Sequence, residues 1–109
     1  MGDRVLMQCY SSETNEFGPV VYCHWTGHDA KEVVQLLRKR MQSRQKDLAY
    51  SSARLAQIAM AGDDGNLSYG IWNADHKLTA ADSHGDAGVV LIDVDNDHKA
   101  TYLGGYLKD

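Results

Sequence analysis

Histidine and aspartate are the side chains here whose chemistry first asks for an explanation. His24 and His28 lie four residues apart, and His84 sits inside Asp82-Ser83-His84-Gly85-Asp86. Imidazole and carboxylate groups are the usual ligands of hydrolytic metal ions. A metal-assisted hydrolase would therefore draw on His24, His28, Asp82, His84 and Asp86. Four-residue spacing aligns two histidines only within a helix, whereas 24–28 crosses a strand end and the turn at Gly27. No cysteine spacing of the zinc-binding kind accompanies them. Asp93-Val94-Asp95-Asn96-Asp97 opens like a calcium loop, but His98 stands where that loop needs glycine and Gly104 where it needs a bidentate glutamate. The segment therefore reads as a solvated hairpin end. Ser83, His84 and Asp86 are close in sequence, which does not make them a triad. Neither a Gly-x-Ser-x-Gly elbow nor a phosphate-binding glycine loop occurs. These residues assign no catalytic group and imply no cofactor, so the hydrolase remains an alternative reading.

The elements that would position these groups follow from hydrophobic periodicity. Residues 5–10 and 20–25 read as strands, separated by a loop closed by Gly18-Pro19. Both faces of the second strand are largely apolar. Asp29 followed by Glu32 resembles a capping box. After it, Ala30, Val33, Val34, Leu37 and Met41 form an amphipathic stripe. Asp47 is placed to cap a second helix with Leu48, Ser51, Leu55 and Ile58 on one face and Gly62 as its stop. A turn at residues 63–66 leads to a strand over 67–72. Residues 73–88 form a long polar loop with a short extended piece at 77–80. Residues 89–94 and 100–107 are then a hairpin turning at Asn96-Asp97. Gly104-Gly105, inside the last strand, marks a bulge or a close backbone approach. The expected fold is α+β: a two-layer sandwich with an antiparallel sheet of about five strands, order β-β-α-α-β-β-β, and both helices on one face. Residues 1–109 form a single domain.

Composition narrows the function classes. The chain has 109 residues, 43% apolar and 24% charged with one proline, which is ordinary globular usage. No apolar run approaches the ~20 residues of a membrane span, and the start Met1-Gly2-Asp3-Arg4 lacks signal-peptide character. A cytoplasmic protein with no membrane partner is expected. The Asn66-Leu67-Ser68 sequon then carries no meaning. Cys9 and Cys23 read as small buried hydrophobes. The net charge is −4, yet Arg38, Lys39, Arg40, Arg44 and Lys46 cluster, while residues 63–97 hold eight aspartates against one lysine. A basic helix end without a basic whole speaks against a nucleic-acid partner.

Several words of the sequence together resemble a family of small uncharacterised proteins of bacteriophage and other mobile bacterial DNA. They are Val21-Tyr22-Cys23-His24-Trp25 with Gly27, Tyr50 with Arg54, Tyr69-Gly70-Ile71, and Val90-Leu91-Ile92-Asp93-Val94-Asp95. The resemblance implies a mobile-element accessory protein and assigns no catalytic residue. The reading favoured here is a non-enzymatic protein that binds a macromolecular partner of unknown identity. It is expected to be a homodimer, because strands apolar on both faces need a second cover. Tyr22, Val89, Leu91, Tyr102 and Tyr106 are the expected interface. A small-ligand site formed by His24, Trp25, Tyr50 and Arg54 is the other alternative. The rival to the dimer is a loop 73–88 that folds over the second face within one chain.

Overall fold

The computed structural model describes residues 2–61 and 67–108. Gly62 and the turn at 63–66, including the first sequon residue Asn66, lie outside them. Strands β1 (Val5–Ser11), β2 (Glu16–Phe17) and β3 (Val20–Cys23) precede helices α1 (Ala30–Arg40) and α2 (Leu48–Ala59). Strands β4 (Tyr69–Trp72), β5 (Gly88–Asp93) and β6 (Lys99–Leu103) follow. The architecture is α+β, with one open sheet ordered β4-β3-β1-β5-β6 and β2 added to the end of β1. The pairings are antiparallel except the central one, β1 with β5, which is parallel. A tight turn forces an antiparallel return. Residues 73–87 instead carry the chain from β4 across to the far side of β1, so β5 is free of that constraint.

One bulge shapes the β3 side of the sheet. Tyr10 faces Phe17 and Met7 faces Val21, so β1 and its partner differ by one residue between these pairs. The extra residue falls at Gly18-Pro19, where proline has no N–H to lose from the ladder. Gly18 N donates to the Cys9 carbonyl at 2.8 Å.

The helices bury the faces their periodicity dictates. Ala30, Val33, Val34, Leu37 and Met41 are buried, as are Ser51, Leu55 and Ile58. The apolar ones among them close over Val5, Met7, Cys9, Val21, Cys23, Val90, Ile92 and Val94 on one face of the sheet. Asp47 caps α2 by accepting the Tyr50 N–H at 2.9 Å. Asp29 does not cap α1, since its side chain makes no capping bond. The chain instead enters α1 through a 3-10 turn at Gly27–Asp29, and Asp3 bonds both the His28 N–H and the His28 ring at 2.7 Å. A carboxylate brought in from outside the helix thus holds the turn that leads into α1.

The second face of the sheet is covered by the chain itself. Leu78, from the long segment after β4, packs with Leu6, Val20, Val89 and Leu91, and Tyr10, Tyr22, Ala74 and Leu103 lie at the margin. Gln8, fully buried, holds this lid down. Its Nε2 donates to the Gly18 carbonyl at 3.0 Å and the His76 carbonyl at 3.2 Å, and its Oε1 accepts the Leu78 N–H at 2.8 Å. The lid is pinned again where Arg4 Nε donates to Asp86 at 2.8 Å and Ser83 Oγ to the Gly104 carbonyl at 2.7 Å.

This packing corrects the expected interface. Val89 and Leu91 are buried within the chain, 0% and 5% exposed, so they offer nothing to a second copy. Tyr102 sits opposite Val90 on the helix face, where Lys31 Nζ lies 5.2 Å from its ring centroid. Tyr106 falls beyond the end of β6 and donates to Asp3. Tyr22 is half-buried at the lid margin. Tyr22, Val89 and Leu91 lie on the lid face and Tyr102 on the helix face, so the five do not form one surface.

Residues 94–98 join β5 to β6, with Asp97 and His98 both at φ 54°. That conformation swings His98 inward, which corrects the solvated hairpin end. Its ring is fully buried, Nε2 lies 2.8 Å from Ser51 Oγ, and Nδ1 has no partner. Burial holds its pKa below the ordinary histidine value. Gly105 shows the close backbone approach, since a side chain there would strike the Ala87 carbonyl.

Two expectations follow. Leu37→Ala and Leu55→Ala, each opening a cavity at a fully buried position, should cost about 2–5 kcal/mol in urea denaturation; an unchanged midpoint for either would misplace the core. His98 takes up its proton less readily folded than unfolded, so its contribution, intact above pH ~6.5, is lost as the pH falls below that value. The stability lost between about pH 7 and 5 should be smaller in His98→Gln than in the parent. Equal losses would mean that the ring is not buried as described.

Candidate functional site

The expected metal ligands do not converge. His28 bonds Asp3 at 2.7 Å, and Asp86 is held by Arg4 at 2.8 Å. Asp82 accepts the Thr79 N–H at 2.8 Å and pairs with His76 at 3.0 Å. His24 shares a 2.9 Å hydrogen bond with the Tyr22 hydroxyl, and the His84 ring packs 5.4 Å from the Tyr22 ring. Among the described residues no group of three His, Cys, Asp or Glu side chains is arranged to hold a metal ion. Both candidate carboxylates already serve structural partners, and Arg4 holds the Asp86 carboxyl down at about 2.

The four expected ligand-binding residues also separate. His24 and Trp25, 4.5 Å apart edge to face, lie just past β3, and Trp25 lines a recess with Ile58 and Ala59 near the end of α2. Tyr50 is in the first turn of α2, stacked under Arg44 at 3.7 Å. The helical rise from Tyr50 to Ile58 is about 12 Å. Arg54, between them on α2, keeps its Nε buried and unpartnered.

What the fold does assemble is an open apolar cleft of about 620 Å³ between α2 and the β3–β4 edge. Leu55 and Ile58 belong to the core, and Ala49, Ala53 and Ala56 line the cleft. Alanine is too short to close the gap, so a trench remains. Val21 and Ile71 form its other wall, with Gly18-Pro19, Leu48, Ser52 and Glu16 completing the lining. Ile71 is 54% exposed, although its type is among those most often buried. The alanine spacing is visible in the sequence beside the buried stripe, but nothing local says that a trench lies along it.

A second recess of about 370 Å³ opens on the lid side. Leu6, Val20, Leu78 and Trp72 supply its apolar wall; Asn73, Asp75, His76, Asp82 and His84 supply the polar one. His76 is hydrogen-bonded to Asp75 at 2.6 Å and to Asp82 at 3.0 Å. These bonds raise its pKa above the ordinary value and help to lower those of both carboxyls. Tyr22 packs between Trp72 and His84, with its ring 5.9 Å from the indole.

The candidate nucleophiles are closed off. Burial pushes the Cys9 thiol to about 12 and the Cys23 thiol to about 11, so both stay protonated at neutral pH. Ser51 and its partner His98 are both 0% exposed. The basic run is partly neutralised as well: Arg38 pairs with Asp97, Arg44 with Asp47 and Lys46 with Glu13, at 2.9–3.1 Å.

Among the described residues no helix is long and apolar enough to cross a membrane. No protein-family model matches this chain, and no curated protein or solved structure does. The apolar cleft and the lid-side recess are the features that bear on function.

Proposed function

We propose that this chain is a non-enzymatic binding module that takes up an apolar segment of a macromolecular partner in the cleft between α2 and β4. The observation that carries the reading is the cleft itself, about 620 Å³, open along its length and lined chiefly by alanine, valine, leucine, proline and isoleucine. A soluble domain rarely leaves such a surface bare unless it is used. The cleft presents no paired acid and base and no accessible nucleophile, which favours binding over catalysis. Its size also suits a small apolar ligand. Exposed Ile71 on its wall and the sheet edge beside it favour a longer occupant. An accessory role on a mobile element, as the sequence words imply, is compatible with such a module. The expected partner is not a second copy docked on the sheet's other face, because Leu78 already covers that face.

Selection from a displayed library of linear peptides tests the proposal. Apolar sequences should be enriched on the wild-type protein and should lose at least about tenfold in affinity on Ala53→Trp, which fills the trench from an exposed helix position. Enrichment that survives Ala53→Trp unchanged, in a variant that melts like the parent, would place binding elsewhere.

A further inference from the structure

Strand β4 stands between the two recesses. Ile71 lines the apolar cleft, and the next residue, Trp72, lines the lid-side recess with its two aspartates. Successive strand side chains point to opposite faces, so one strand reads two different surfaces. Among the described residues β4 pairs only with β3 and ends the sheet. The bond from His24 N to the Ser68 carbonyl sets the phase of that ladder. Gly70 and Trp72 then turn their backbone groups toward β3, and Ile71 turns its N–H and carbonyl outward. Tyr69-Gly70-Ile71-Trp72 also carries no charge and no proline, the usual protections of a sheet edge.

We propose that the partner segment adds to β4 as an extended strand in which apolar side chains alternate with lysine or arginine. The inference rests on the binding reading above and names its occupant. A residue opposite Ile71 shares its face and enters the apolar cleft. Its neighbours fall on the Trp72 side. There the Asp75 side chain is 96% exposed, Asp82 stands across His76, and among the described residues no lysine or arginine lines the recess. Trp72, 44% exposed, offers a cation its ring face. Backbone pairing at Ile71 supplies affinity, and the two recesses supply the alternation.

Four short capped peptides, titrated into isotope-labelled protein and followed by amide shifts, test this. One alternates valine with lysine, and one alternates valine with glutamate. A third holds the valine and lysine in two blocks, and the fourth is the first peptide N-methylated along one edge. The alternating lysine peptide should shift Ile71 and Trp72 and bind about tenfold tighter than the other three. Asp75→Asn should weaken it several-fold while leaving the fold intact. If the blocked and N-methylated peptides shift Ala53 and Ile71 equally well, no strand is added and only the cleft reading survives. If no peptide shifts Ala53 or Ile71 at concentrations on the order of millimolar, both readings fall.

Discussion

The amide of Gln8 is the constraint on which the rest of this structure depends. A fully buried carboxamide must satisfy its donors and acceptor, and each one left unmet costs about 1–3 kcal/mol. Gln8 satisfies them with the carbonyl of the Gly18 bulge and with His76 and Leu78 of the lid. One side chain on the central strand β1 thereby fixes both the break between β2 and β3 and the path of the chain after β4.

The rest of the surface follows from that clamp. With Leu78 seated over Leu6, Val20, Val89 and Leu91, one sheet face is closed without a second molecule. With α1 and α2 on the other face, an open apolar surface remains along the β4 side. There the Gly18-Pro19 bulge and the alanines of α2 leave the trench, and Ile71 and Trp72 stay exposed. The lid also carries Asp75, His76 and Asp82 to the opposite side of Trp72. The same clamp that removes an interface on one face thus creates a strand edge with an apolar recess on one side and an acidic one on the other.

Much of the fold was legible in the residues, and for local reasons. The stripe Ala30, Val33, Val34, Leu37 and Met41 repeats at the helical period, so its burial needs no tertiary information. Asp47 caps its own helix from the adjacent position. Failures came where distant segments compete for a local role. Asp29 lost its cap to a turn organised by Asp3, and His98 was drawn inward by left-handed backbone and by Ser51. Leu78 is a lone apolar residue in a polar run, so a lid formed by residues 73–88 could be named only as the rival to a dimer. Gln8 was the available clue, since a polar residue inside the apolar run 5–10 asks for buried partners. The cleft was illegible because it is a gap between α2 and β4, and neither element alone describes the space between them.

Hydrogen exchange at the Leu78 amide tests the clamp most directly. That N–H donates to Gln8 Oε1 at 2.8 Å in a buried setting. It should exchange slowly in the parent and approach the unprotected rate in Gln8→Ala, while β5 amides such as Val90 keep their protection. A Leu78 amide that exchanges freely in the parent, or one that is unaffected by the substitution, would show that the lid is not held by Gln8.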